Sequence, residues 1–141
     1  MATLGSKIRA YFHSALVTAT GLPDSKVLKS PRFHVEAVDL PIVSVYTHSD
    51  KPVDADAVSD RPHDRIYTVA VEINVAAREE EDATDALSIA VRSAILTDGT
   101  LGGLCSYTTW ASQEWGSKEN ELAESATLLL FSCHYLWRPG A

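Results

Sequence analysis

The sequence lacks several features that mark whole classes of protein. It has only two cysteines among 141 residues, too few for a secreted domain held together by disulfides. No apolar run approaches the roughly 20 residues that a membrane-spanning helix needs. Residues Met1 to Lys7 lack the charged and apolar regions of a signal peptide. We therefore expect a soluble protein from a reducing compartment.

Positive charge is also scarce. Twelve Lys and Arg residues against 19 Asp and Glu residues give a formal net charge of −7 and a pI near 5.1. Such a surface repels phosphate, which argues against general wrapping of nucleic acid. The length and the hydrophobic content of 45% predict a single globular domain over residues 1–141, large enough to fold without a metal or disulfide.

Apolar residues at helical spacing predict two helices. The first runs from Leu4 to Ala19, with Thr3 or Ser6 as its N-cap and Gly21 as its end. The second follows four acidic residues at 79–82, where negative charge favours a helix N-terminus, and ends by Asp98. The stripe of the first helix is Leu4, Ile8, Phe12 and Leu16, and that of the second is Leu87, Val91, Ala94 and Ile95.

The remaining apolar segments have the pattern of strands. Arg65–Ala76 alternates apolar and polar residues, as a strand with one buried face requires. Further strands are predicted at 33–38, at 42–46, from Leu104 through Trp110 towards Trp115, and at 122–137. Because successive strands across short turns are usually antiparallel neighbours, we expect an α+β domain. Its mainly antiparallel or mixed sheet has about four to five strands, with two helices packed on it.

Residues 48–64 form the one long loop that the pattern predicts. Five aspartates and two prolines without a large apolar cluster indicate a solvated, mobile segment. Asp54 and Asp56 begin like a calcium-binding loop. Ser59 stands where that loop needs glycine, however, and Arg65 stands where it needs a bidentate acid. We therefore assign no metal site.

The last strand is apolar on both faces. Leu128, Leu130 and Leu136 alternate with Leu129, Phe131, Tyr135 and Trp137. Two helices cover only one face of a sheet, so we expect the second face to be covered by a loop of this chain or by a neighbouring subunit. We expect that one subunit by itself cannot shield the apolar side chains of this strand from water, Leu129, Phe131 and Tyr135 among them.

No residue pattern indicates an active site. The five histidines lack metal-ligand spacing, and Cys105 and His134 are expected on opposite faces of a hairpin, which disfavours a nucleophile and base pair. The glycines at 99–103 follow a helix rather than open one, unlike a phosphate-binding loop. No basic patch surrounds Trp110 and Trp115, so these are core or interface aromatics rather than base-stacking residues. We expect no enzyme activity, no catalytic residue and no cofactor.

The order of features resembles the tail terminator proteins of long-tailed bacteriophages, the minor tail protein U family. Four stretches carry this resemblance. They are the amphipathic helix from Leu4 to Ala19, the segment Val38–Tyr46 with its Asp-Leu-Pro sequence, the acidic loop followed by the strand from Arg65, and the aromatic and acidic hairpin from Trp110 through Tyr135. The resemblance covers most of the chain and rests on element order rather than an invariant motif.

The resemblance implies a structural protein that forms a homohexameric ring. The ring would cap the finished tail tube, end tube polymerisation and offer a surface to the head-proximal connector protein. DNA would pass through it without specific binding, and the virion tail would be its location after assembly in the host cytoplasm. Its interface with other subunits or with the tube is then expected at six residues: Asp54, Asp56, Asp60, Arg65, Trp110 and Trp115.

Three other functions remain open from the sequence. The first is another head–tail connector, neck or tail-completion protein, which differs from a tail terminator only in its partner. The second is a small hydrolase that uses Cys105 and His134. The third is a monomeric ligand-binding domain.

Overall fold

The computed structural model describes residues 3–29, 41–54, 56, 60–76, 80–118 and 124–139. The strand predicted at 33–38 lies outside the described residues. Along the chain the elements are α1 (Leu4–Thr20), a short 3-10 turn (Asp24–Lys26), β1 (Val27–Leu28), β2 (Ile42–Pro52), β3 (His63–Ala76), α2 (Glu80–Leu96), β4 (Tyr107–Lys118) and β5 (Glu124–Trp137). Neither helix of the described chain has the length and apolar character needed to cross a membrane.

The five strands form one sheet in the order β1-β2-β3-β5-β4. The short β1 runs parallel to β2, and every other neighbouring pair is antiparallel. The chain after β3 passes through α2 and returns as the β4–β5 hairpin. The hairpin inserts β5 beside β3 and leaves β4 at the edge. The predicted α+β class, with two helices and a mixed sheet, is confirmed.

Both ends of α1 follow from its local sequence. Thr3 Oγ1 accepts a hydrogen bond from the Ser6 N–H at 3.1 Å, which satisfies one of the free donors at the helix N-terminus. Gly21 has φ of 72°, a left-handed conformation that glycine adopts without the steric cost of a side chain. Of the two predicted N-cap residues the structure selects Thr3 rather than Ser6, and the predicted end at Gly21 is confirmed.

The core lies between the two helices and one face of the sheet. Phe12 of α1 packs edge-on against Phe131 of β5, with ring centroids 5.6 Å apart. Leu129 and Phe131 are both 0% exposed. The expectation that this face of the last strand exceeds what one subunit can shield is wrong for these two residues, because α1 and α2 of the same chain enclose them.

The second face of the sheet carries the alternate residues of β5. Leu128 and Leu130 are half-buried, and Leu136 is 44% exposed. The predicted alternation of the last strand is thus confirmed, and its exposed apolar area lies on the face of the sheet that carries Leu128, Leu130 and Leu136.

The predicted loop at 48–64 is shorter in the structure. β2 continues through Pro52 and β3 begins at His63, and Val53 N–H donates to the Asp64 carbonyl at 2.9 Å. The polar residues that indicated a loop are paired because ladder hydrogen bonds use backbone groups, whatever the side chain. A register shift between Thr47 and Ser49 adjusts the ladder where the apolar run ends.

Two other boundaries differ from the prediction. Val27 and Leu28 form β1 inside the predicted connector, since they pair with Val43 and Ser44. The strand expected from Leu104 begins at Tyr107, because residues 101–104 are a turn in which Leu101, Gly102 and Gly103 all have positive φ.

The N-terminal part of α1 lies close to β3 at Gly5. A Cβ atom on Gly5 would stand 2.6 Å from the Tyr67 hydroxyl oxygen and 3.0 Å from two carbons of its ring. Arg9 Nη1 donates to that hydroxyl at 2.8 Å and to Thr47 Oγ1 at 2.7 Å, and the two hydroxyls are also hydrogen-bonded to each other. Glycine is thus required at position 5 for this close approach of helix and sheet.

Candidate functional site

A polar cluster occupies the end of the sheet where β2 and β3 meet. Its centre is an ion pair, in which Arg65 Nε donates to Asp50 Oδ1 at 3.0 Å and Nη2 donates to the Asp50 carbonyl at 3.2 Å. Tyr135 Oη, from β5, donates to the two oxygens of the same carboxylate at 3.1 and 2.9 Å. Three strands are therefore tied together through one aspartate.

His63 extends this cluster on β3. Arg65 Nη1 lies 3.0 Å from His63 Nε2, and His63 Nδ1 lies 2.8 Å from the Arg61 carbonyl. Because a guanidinium can only donate, Nε2 accepts and Nδ1 carries the proton. The imidazole ring also packs against Trp137, with centroids 5.2 Å apart.

The charges of the cluster are matched. The hydrogen bond to Asp50 raises the pKa of Arg65 above its ordinary value. Burial, followed by the hydrogen bond to Asp50, raises the pKa of Tyr135 to about 12. Both residues therefore keep their protons at neutral pH, and the cluster can orient a surface loop.

The three predicted loop aspartates lie beside this cluster. Asp54, Asp56 and Asp60 are all exposed. The Asp56 N–H donates to Asp54 Oδ1 at 2.9 Å, so that one carboxylate supports its own turn. With Arg65 as the neighbour of Pro52 in the ladder, four of the six predicted interface residues lie at one end of the sheet.

The two predicted tryptophans lie elsewhere. Trp110 is 38% exposed on edge strand β4, and the Arg92 guanidinium of α2 lies 4.2 Å from the centroid of its ring, a favourable cation–π contact. The backbone of Trp115 is opposite Thr127, and its side chain lies outside the described part.

The strand register measures how far apart the two groups are. Through β5, Trp110 is level with Val69 of β3, and Trp115 is level with Ile73. At about 3.3 Å per residue, these positions lie roughly 13 and 26 Å along the sheet from Arg65. The six predicted residues therefore lie in two separate places. We call Asp54, Asp56, Asp60 and Arg65 the loop group, and Trp110 and Trp115 the edge-strand group.

The thiol and imidazole considered for a hydrolase are not paired. His134 stacks on Tyr107 with centroids 4.1 Å apart. Cys105 Sγ instead lies 3.4 Å from Thr108 Oγ1, and Thr108 is opposite Cys133. Because neighbouring residues of a strand point to opposite faces, His134 and Cys133 are on different sides of the sheet. Within the described ranges, no group of three His, Cys, Asp or Glu residues could hold a metal ion.

The turn at 98–103 uses its own amide groups. Asp98 Oδ1 accepts from the Thr100 N–H at 3.0 Å and from its hydroxyl at 2.7 Å, and Oδ2 accepts from the Gly102 N–H at 2.9 Å. These bonds lower the pKa of Asp98. A carboxylate of the chain thus takes the place that a bound phosphate would need, which agrees with the prediction that these glycines end a helix.

Sequence reasoning missed the roles of Asp50, His63 and Tyr135. Asp50 belongs to the predicted loop at 48–64, but in the structure it lies on β2 and its carboxylate is paired with Arg65 of β3. Tyr135 lies 85 residues from Asp50 in sequence, and no local pattern links the two. The signal that could have found the cluster is the proximity of Asp50 and Arg65 across a short hairpin, had the strand boundaries been known.

Comparison with known proteins gives a match in structure and none in sequence. No protein-family model matches the chain, and no curated protein does. Among solved structures, the chain is similar to a chain from the virion of a native gene transfer agent particle. The TM-score is 0.60 at 11% sequence identity, and the alignment covers 92% of this chain and 95% of that chain. The two chains share one fold over nearly their whole lengths.

Proposed function

We propose that this chain is a structural protein of a phage-like virion, and specifically a tail terminator that assembles as a homohexameric ring. The observation that carries the proposal is the shared fold with a virion chain over 92% and 95% of the two lengths. A match of that extent pairs the two chains over nearly their whole lengths rather than over a short motif. The separation of Cys105 from His134 also favours a role without catalysis.

The two edges of the sheet suit a ring. β4 is an edge strand of 12 residues, and an unpaired edge presents N–H and C=O groups to another strand. At the opposite edge, β1 pairs only with Val43 and Ser44 of β2 within the described chain. A ring needs two different patches that meet head to tail, and β4 of one subunit beside the part of β2 that no described strand covers in the next supplies them.

Side chains along β4 add to this contact. Tyr107 is 52% exposed and Trp110 is 38% exposed, and aromatic residues are enriched in the buried centres of interfaces. Their stacking on His134 and Arg92 holds both rings in place, which lowers the entropy lost when a neighbouring subunit covers them.

The loop group serves a different contact. Asp54, Asp56 and Asp60 project from the end of the sheet that carries Arg65, which lies about 26 Å along the strands from the level of Trp115. We assign this end to the tail tube or to the head-proximal connector. Like charge also keeps DNA from binding where it passes through the ring.

The test is the mass of the assembled protein, alone and with tail tubes. The wild type should form a ring whose mass is a multiple of 15.3 kDa, or bind the ends of tubes and stop their growth, as seen by light scattering and electron microscopy. Ala111→Arg places a charge on the exposed part of β4 and should abolish assembly. Ala10→Arg, at an exposed position of α1, is the matched control.

Three results would contradict the proposal or a part of it. A wild-type protein that remains a monomer and leaves tube growth unchanged is not a tail terminator. Binding to the connector protein without binding to tubes assigns the chain instead to the head–tail connector, neck or tail-completion proteins, the alternative suggested by the same fold. Assembly lost in both arginine variants, or in neither, would remove β4 from the interface.

A further inference from the structure

The two cysteines form a pair that the proposed structural role does not use. Cys133 is 0% exposed in the middle of β5, and Cys105 is 8% exposed in the segment between α2 and β4. Both are free thiols. The Ser106 N–H donates to the His134 carbonyl at 2.7 Å, so the backbone next to Cys105 is bonded to the backbone next to Cys133.

Both thiols lie next to Thr108. Cys105 Sγ lies 3.4 Å from Thr108 Oγ1 and 3.5 Å from the Gly99 carbonyl oxygen. Cys133 is opposite Thr108 in the ladder, and because residues that face each other on neighbouring strands project from the same side of a sheet, its thiol lies on the same side as the Thr108 hydroxyl. The two thiols therefore lie on either side of the same threonine, Cys105 on the turn that precedes β4 and Cys133 on β5.

A groove connects Cys105 with the surface. It has a volume of about 840 Å³, and its lining includes Cys105, Leu4, Lys7 and Trp137. Cys133 does not line it. Reagents in solution can thus reach one member of the pair directly and the other only through the first, and the Lys7 ammonium favours an anionic reagent.

We propose that Cys105 and Cys133 are a dithiol modification site, at which a small anionic disulfide of the glutathione type enters the groove and leaves an intrachain disulfide behind. The Cys105 thiolate attacks one sulfur of the reagent, the reagent's S–S bond breaks, and one glutathione thiolate leaves. Cys133 then gives its proton to solvent and attacks the Cys105 sulfur, which expels the second glutathione. The protein loses two electrons and two protons, and the reagent is reduced to two thiols.

The order of the two steps agrees with the state of the thiols. The hydrogen bond from Cys133 lowers the pKa of Cys105 to about 7, which supplies thiolate at neutral pH. The bond to Cys105 and burial both raise the pKa of Cys133. Cys105 is therefore the attacking thiol, and Cys133 reacts only when the mixed disulfide is next to it.

The test is exposure of the reduced full-length chain to glutathione disulfide at neutral pH, followed by intact mass and peptide mapping without reductant. The wild type should lose two hydrogens, carry no glutathione, and yield a linked Cys105–Cys133 peptide. Cys133→Ala should stop at one glutathione on Cys105. In Cys105→Ala, Cys133 should react with glutathione disulfide at least about tenfold more slowly than the wild type does.

Other outcomes overturn the proposal. They are a folded wild type that retains two free thiols, a wild type that keeps glutathione on Cys105 without closing the disulfide, and a Cys105→Ala variant that reacts as fast as the wild type. Should either alanine variant fail to fold, the wild type treated with and without denaturant decides, because the folded chain must close the intrachain bond faster than the unfolded one. Assembly with tubes is a separate measurement, so this test does not depend on the proposed function.

Discussion

Substitution of Gly5 by alanine tests the close contact between α1 and β3. In an exposed helix this change stabilises a protein by about 0.5–1 kcal/mol, since glycine loses more backbone entropy on folding. Here the new methyl group would lie 2.6 Å from the Tyr67 hydroxyl. Tyr67 is 6% exposed and is bonded to Arg9 and Thr47, so its ring has nowhere to move without losing hydrogen bonds worth about 1 kcal/mol each.

The steric cost exceeds the gain in helix propensity. Overpacking of a buried contact costs about 1–3 kcal/mol, and we expect Gly5→Ala to lower the free energy of unfolding by about 1–2 kcal/mol, measured by urea denaturation. Tyr67→Phe removes the nearest atom. In that background the alanine should cost at least ~0.5 kcal/mol less, because the two positions are coupled.

A matched change on the same helix separates propensity from contact. Ala10 is exposed, so Ala10→Gly should lower stability by about 1 kcal/mol through propensity alone. If Gly5→Ala instead stabilises the protein, or if Tyr67→Phe leaves its effect unchanged, the close approach of α1 and β3 is not the reason for glycine at position 5.

Three further changes have defined outcomes. Thr127 Oγ1 is buried and has no hydrogen-bond partner among the described residues, so Thr127→Val should raise the free energy of unfolding by about 1 kcal/mol in urea. The hydrogen bonds from Thr100 lower the pKa of Asp98, so the stability that this carboxylate contributes is complete above the ordinary carboxyl pKa and is lost as the pH falls through the lowered pKa. Asp98→Asn should flatten this part of an acid denaturation profile, and an unchanged profile would reject the role of the carboxylate. The pKa of Tyr135 is raised from 10.0 to about 12, so the stability that the protonated hydroxyl contributes is complete below pH 10 and is lost as the pH rises from 10 to about 12. Tyr135→Phe should lack this part of the alkaline loss of stability, and equal profiles of the two proteins would contradict the assignment.

Local sequence signals were sufficient for the elements and much of their arrangement. The two ends of α1, at Thr3 and Gly21, could be predicted because capping depends on groups within three or four residues. The alternation along 65–76 predicted β3 because a strand's side chains alternate whatever its partner is. The same alternation assigned the residues of β5 correctly to its two faces.

The extent of the strands and the layout of the surface depended on the tertiary structure. The polar residues 48–52 belong to β2 because β3 is there to pair with them, and Val27 is in a strand because it pairs with Val43 of β2. Which face of β5 the helices enclose, and hence that Phe131 needs no second chain, follows from packing between elements far apart in sequence.

The candidate surfaces divide in the same way. Charge and exposure of Asp54, Asp56 and Asp60 are properties of short polar stretches and could be predicted from composition. The cluster that joins Asp50, Arg65 and Tyr135, and the distance of about 26 Å that separates Arg65 from the level of Trp115 on β4, are set by strand order and register. Register is decided by long-range pairing, whose free energy depends on all the strands together and is not encoded in any one segment.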